Sequence, residues 1–297
     1  MAQGPAVTVV IPTLGGATLK KTIEALNQGS LRPAEILVCI PSAERARAEH
    51  LGFDNVKVIA AQARGQVAQR AEGFRHAAHE LVMQLDDDIL VDARCVERLA
   101  GALIALGPAA AVGPTLIEWS TAQPVYRKPA GNSRMLDLYY WLMNGAAGYL
   151  PGTIDKSGTL LGIDPEIAVD ELNEVECIAG GCVMHHRKNL VLEDFYPFAG
   201  KAYYEDVMHC SLLRRRGIKL KVHSGARCSL ETAHAWHLGH GEYLKYLAAD
   251  CRSRKYAMRL HSRVSARLYL FYLICYVRYL WKRVAGLKAP GKAADSR

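Results

Sequence analysis

The sequence predicts an α/β fold: a mostly parallel sheet with helices on both faces, followed by an amphipathic helical tail. Three observations carry this. Short, β-branched apolar runs alternate with segments of helical period, as in chains of right-handed crossovers. The runs are apolar throughout, the pattern of strands buried on both faces. The charge also changes sign near Lys245. Half of the 297 residues are hydrophobic and 22% are charged, which excludes a wholly disordered chain.

The first run, Val7 to Ile11, reads VTVVI and leads into the loop Pro12-Thr13-Leu14-Gly15-Gly16. Leu19, Ile23 and Leu26 follow at helical spacing. Glu35 to Ile40 is a second strand, closed by Pro41, and Val56 to Ala60 a third. From Gly65 to Glu80, Val67, Ala71, Phe74 and Ala78 share one helical face. Leu81 to Leu85 is a fourth strand and runs straight into Asp86-Asp87-Asp88. The next helix is expected to be capped by Asp92, with Val96, Leu99, Leu103 and Leu106 facing inward. Pro114 to Asp170 is less regular, rich in Gly, Pro and aromatics, and reads as an insertion over the site. Glu176 to Met184 is a returning strand with a glycine break. Glu205 to Arg216 is helical, and Ile218 to Val222 is a short strand. Ligands of such sheets bind beyond the carboxyl ends of the strands, where the Pro12–Gly16 loop and the three aspartates both fall.

Charge divides the chain into 1–244 and 245–297. Lys245 to Arg297 holds 13 Lys and Arg against two acids, whereas the body before it is nearly neutral. The eight cysteines form no CxxC pair, and most sit in apolar strings as reduced thiols. The opening Met-Ala-Gln-Gly-Pro lacks the basic-then-apolar pattern of a secretory signal, so a cytoplasmic location is expected.

Three adjacent carboxylates repel one another. A hard divalent cation shared with a substrate diphosphate is one reason to keep them together; a solvated loop is the other. Tyr203-Tyr204-Glu205-Asp206 opens a helix, where carboxylates are favoured by the helix dipole whatever else they do.

VTVVIPTLGG, LDDDI, CIAGGCVMHHR and YYEDVMHCSLLRRRG, in that order, resemble the family 2 inverting glycosyltransferases. The likeness is to the rhamnosyltransferase-like branch of bacterial surface polysaccharide synthesis. It spans Val7 to Glu231. The resemblance implies a GT-A fold of Rossmann-like type, a nucleotide-sugar donor and Mg2+ or Mn2+. Asp86 and Asp87 would lie at the donor, Asp88 on the metal with Asp86, and Pro12, Thr13 and Leu14 beside the nucleoside. Arg70 matches an arginine near the nucleotide. Gly180 and Gly181 match a loop beside the acceptor. Glu205 and Asp206 match the family's acidic pair, with Asp206 as base. The acceptor would be a saccharide or a lipid-linked saccharide. Two positions depart from the pattern. The second strand ends in Ile40-Pro41-Ser42 where the family has an aspartate, and the metal-binding histidine has its nearest counterpart at His234.

The chemistry suits these residue types. A cation stabilises a departing diphosphate, and a carboxylate takes the acceptor's proton, a contribution of about 10²–10⁴-fold. His234, His237 and His240 recur every third residue, and Trp236 could stack on a sugar or simply be core. His209 lies one turn beyond the acidic pair, where it either orients a carboxylate or faces solvent. His76 and His79 are expected to be solvated, and His185 and His186 to be ordinary strand-end residues.

In the tail, Leu268 to Val277 is uninterruptedly apolar, too short to span a bilayer. Arg259, Arg263, Arg267, Arg278 and Lys282 share a helical stripe, which fits a helix lying on an anionic membrane such as the inner face of the plasma membrane. Packing on the body and a dimer seam are the alternatives. Nucleic acid is a poorer reading, because no nucleic-acid motif is present. The rival functions are a nucleotidylyltransferase, whose glycine-rich signature Pro12–Gly16 lacks, and a non-catalytic membrane scaffold.

Overall fold

The computed structural model describes residues 4–129, 134–146, 148–232, 235–261, 263 and 265–285. In chain order the elements are Val7–Pro12 (β1), Leu19–Asn27 (α1), Glu35–Pro41 (β2), Val56–Ala61 (β3), Gln66–His76 (α2), Leu81–Leu85 (β4), Leu90–Val91 (β5), Cys95–Leu106 (α3) and Ala110–Glu118 (β6). Arg134–Asn144 (α4), Thr153–Ile154 (β7), Leu160–Leu161 (β8), Leu172–Glu174 (β9), Cys182–His186 (β10), Glu205–Arg215 (α5), Lys219–Leu230 (β11), His240–Leu260 (α6) and Ala266–Val284 (α7) complete it.

The chain forms two compact units. The first comprises Met1–Ala130, Leu150–Thr153 and Leu160–Glu231. Its sheet runs β3-β2-β1-β4-β10-β6-β11-β5, with β9 on β11. β1 to β4 are mutually parallel, β10 is antiparallel to both β4 and β6, and β11 is parallel to β6. This is the mostly parallel α/β sheet the alternation predicts. Every residue of β1, β2 and β4 is buried, because helices cover both faces. Val7, Val9 and Ile11 pack with Leu19, Ile23 and Leu99 on one side; Val10 packs with Leu37, Cys39 and Phe74 on the other. Helix α2 lies close on the sheet: a Cβ at Gly73 would come within 2.4 Å of Val10 and 2.5 Å of Cys39 Sγ.

Several local expectations change. Helix α2 stops at His76, so Ala78 is exposed rather than on its inner face. The N-cap of α3 is Arg94 rather than Asp92, whose backbone carbonyl accepts the Cys95 N–H at 2.9 Å. Leu106 at the helix end is 37% exposed. The segment after Pro114 continues strand β6 and later forms α4. The last strand extends to Leu230, carried on by a bulge between His223 and Arg227.

The second unit comprises Gly131–Tyr149, Ile154–Thr159 and Thr232–Arg297. Within it α7 packs on α4 and α6. The basic stripe does not lie on one helix: Arg259 is on α6, whereas Arg267, Arg278 and Lys282 are on α7. No described helix is long and apolar enough to cross a membrane.

Candidate active site

Sheet order builds the site. β1 and β4 are parallel neighbours, so Pro12 and Asp86 emerge at the same edge. β10 runs the other way, with Cys182 opposite Leu85, which brings Gly180 and Gly181 to that edge as well. The Asp86 N–H donates to the Gly181 carbonyl at 2.8 Å. Both glycines are needed for close approach. A Cβ on Gly180 would stand 2.7 Å from Glu205 Oε1 and 3.0 Å from Asp206 Cβ, and one on Gly181 would stand 2.4 Å from Ile89. Two acidic motifs more than a hundred residues apart therefore meet over one glycine pair.

Arg70 joins them. Its guanidinium donates to Glu205 in a two-pronged pair, 2.9 Å to Oε2 and 3.0 Å to Oε1, and lies 3.5 Å from Asp86 Oδ1. The Arg70 and Glu205 side chains are only 3% and 7% exposed. Burial works against the charge on Arg70, but Glu205 and Asp86 outweigh it and hold the guanidinium protonated. Arg70 thus pairs with two carboxylates from different segments. Asp86 also accepts from Gln66 Nε2 at 2.8 Å. Burial raises its carboxyl to about 7, with Glu205 and Asp88 adding repulsion and Arg70 opposing it. Its side chain keeps 26% exposure, open to the cleft.

Asp206 lies in the first turn of α5 and accepts the Val207 N–H at 2.8 Å. Burial first, then the neighbouring Glu205, raises it to about 6; backbone donors at Val207 and Gly180 and the charge of Arg70 pull the other way. Tyr204, just before the pair, has φ of 59°, a left-handed conformation that strains a bulky residue by roughly 1–2 kcal/mol. That turn immediately precedes the two carboxylates at the start of α5.

On the opposite rim, Thr13 donates to Asp87 Oδ2, and Thr22 Oγ1 donates to the Asp87 carbonyl at 3.0 Å. Gln69 Nε2 bonds the carbonyls of Thr13 and Cys39, both at 2.7 Å, and so fixes the loop after β1. Pro12 and Thr13 are buried, whereas Leu14 is 38% exposed. Asp88 stands exposed at the mouth. Burial by the protein around it and repulsion from Asp87 both raise its carboxyl, with Lys201 opposing.

Among the described residues, no three His, Cys, Asp or Glu side chains are grouped to hold a metal ion. A hard cation takes one or two carboxylates and completes its shell from phosphate oxygens and water, so it needs no such group of three. Asp88 and Asp86 are the oxygen donors available for it. His234 and the Trp236 side chain lie outside the described residues. His237 is exposed, and His240 is within 3.0 Å of the Tyr276 hydroxyl on α7.

Sequence reasoning missed a second layer. His209 is 3% exposed, stacked on Phe195, with its ring 5.3 Å from that of His185. Burial, then the charges of Arg70 and Arg216, lowers His209 to about 3, so it is neutral. His185 is fully buried and lowered well below its ordinary value for the same first reason. Of the other two, His76 is half exposed as expected, but His79 is tied to Thr8 Oγ1 at 2.9 Å. The one sequence signal for His209 was its position four residues after Glu205, on the same side of α5.

Residues 8–145, a little under half of the chain, match the family model of glycosyl transferase family 2. No curated protein sequence matches the chain. Among solved structures, this chain is similar to GalNAc-T7 with UDP, GalNAc and Mn2+ at 16% identity and a TM-score of 0.53, covering 98% of this chain and 60% of that one. It is also similar to the mannosyltransferase PcManGT from Pyrobaculum calidifontis in complex with GDP-Man and Mn2+. There identity is 16% and TM-score 0.53, over 97% of this chain and 78% of that one. The fold is that of the GT-A glycosyltransferases. The chain spans about three fifths of the length of the first of these two. In the GT-A sheet of this chain, the acidic cluster lies after β4 and the glycine pair before β10, at the edge where parallel α/β sheets bind ligands.

Proposed function

We propose that this chain is a metal-dependent inverting glycosyltransferase that moves a sugar from a nucleotide-sugar donor to a saccharide or lipid-linked saccharide. The observation that carries this reading is the meeting of Asp86, first of the three aspartates, with Glu205 and Asp206 around Arg70, Gly180 and Gly181. The family 2 match and a fold shared with proteins holding UDP or GDP-Man beside Mn2+ support it. A place in bacterial surface polysaccharide synthesis, in the rhamnosyltransferase-like branch, rests on the motifs alone.

Asp206 is the base. With its carboxyl at about 6 it is ionised at neutral pH and still basic enough to accept the proton of an attacking hydroxyl. Glu205 is a positioning residue: both of its oxygens are held by Arg70, so it braces the start of α5 and the floor under Asp86. Asp88, with Asp86, would hold Mg2+ or Mn2+, which when bound neutralises charge on the donor diphosphate. The Pro12–Thr13–Leu14 loop, anchored by Gln69 and Asp87, borders the nucleoside. A single carboxylate base supports one displacement with inversion and no covalent intermediate.

The deciding experiment incubates the protein with a panel of nucleotide sugars with and without Mn2+, following release of nucleoside diphosphate and the thermal midpoint. One nucleotide class is expected to raise the midpoint only with the metal and to be consumed. A panel without binding or turnover contradicts the reading.

Gly180→Ala tests the glycine contact. The added Cβ forces Glu205 or Asp206 aside, so kcat/KM is expected to fall by about tenfold or more while cooperative unfolding is retained. Unchanged kcat/KM would show that the acidic pair tolerates displacement.

A further inference from the structure

Helix α7 is apolar on two opposite faces. The inner face is satisfied within its own unit: Leu268 and Tyr279 are buried, Tyr279 stacks on Tyr243 at 3.8 Å, and Arg254 of α6 lies 4.1 Å from the Phe271 ring. The outer face is open. Tyr269, Leu273, Val277, Leu280, Trp281 and Val284 are 40–88% exposed. At 3.6 residues per turn they fall within about 120° of one another, a continuous stripe along the helix. Arg267 and Arg278 border this stripe on one side and Arg283 on the other. Helix α4, which packs on α7, leaves Met135, Leu138 and Trp141 exposed as well.

We propose that the outer face of α7 is a membrane-docking surface that lies in the interface of an anionic bilayer. Charge complementarity selects this occupant. Helix α7 carries Arg267, Arg278, Lys282 and Arg283 and no acidic residue, which suits anionic headgroups. A second copy of the chain would instead bring two arginine-bordered stripes together. The helix is not long and apolar enough to cross the bilayer, so it lies along the surface with its apolar side chains in the headgroup boundary. Trp281 and Tyr269 are the amphipathic aromatics suited to that depth. None of these residues belongs to the acidic site, and vesicle binding needs neither donor nor acceptor, so it can fail without touching the transferase reading.

The test is flotation of the full chain with vesicles of phosphatidylcholine alone or mixed with phosphatidylglycerol. The protein is expected to float with the mixed vesicles and to be released by salt. Leu273→Glu with Trp281→Glu is expected to weaken binding by at least about tenfold, with circular dichroism and thermal midpoint held, since both side chains are exposed. Arg278→Glu is expected to weaken binding to mixed vesicles by at least roughly fivefold. Three results overturn the proposal: no flotation of the unmodified chain, flotation undiminished in the double variant, or a dimer in light scattering that the double variant splits without any vesicle binding.

Discussion

Asp206→Asn is expected to lower turnover by about 10²–10⁴-fold while leaving donor affinity and the fold in place. The amide is isosteric and still accepts the Val207 N–H, so the start of α5 is kept. What is lost is the ability to take a proton. The same carboxyl sets the pH profile of the unmodified protein. Only its ionised form is a base, and burial beside Glu205 raises it to about 6. With metal saturating, so that Asp86 (raised to about 7 without it) stays ionised, activity should be flat above about 6 and fall about tenfold per pH unit below it. Titration of nucleotide with Asp206→Asn separates binding from chemistry. Near-normal turnover in that variant, or a profile without an acid limb near 6, would remove Asp206 from the role.

Arg70→Met is expected to destabilise the protein by about 3–5 kcal/mol, measured by denaturant unfolding. The guanidinium is buried and neutralises Glu205 and Asp86 together. Without it, Glu205 remains as a buried carboxylate with no cation, at the junction of three chain segments. Adding Glu205→Gln to Arg70→Met should recover much of the lost stability, because the uncompensated charge is gone. It should not recover turnover, because the brace under Asp86 and beside Asp206 stays missing. A single variant as stable as the unmodified chain would mean that the pair is not what holds the cleft together.

The histidines illustrate how far local pattern reaches. His76 falls on a helix face already rich in charge, and it is solvated. His209 lies on a helix with equally polar neighbours, yet it is buried. Nothing within α5 distinguishes its faces strongly, since Glu205, His209 and Ser211 are all buried polar residues. The decision is made by Phe195 and His185, which arrive from other segments. Asp92 shows the same limit at short range: the N-cap position of α3 falls two residues later, at Arg94, and Asp92 meets the helix only through its backbone carbonyl.

The apolar runs of β1, β2 and β4, and the helical spacing between them, were set by the sequence alone, because strand and helix periodicity are local properties of the chain. So were the position of Asp86–Asp88 at a strand end, the Glu205–Asp206 pair at a helix start and the basic character after Lys245. Tertiary structure alone decided what those groups face. Strand order put Gly180 between residues far apart in the chain, and Arg70 was paired with Glu205. The break between α6 and α7 separated the basic residues and left one apolar stripe of α7 open. These outcomes depend on which segments pack against each other. A buried charge finds its partner through such packing, and no spacing along the chain encodes it.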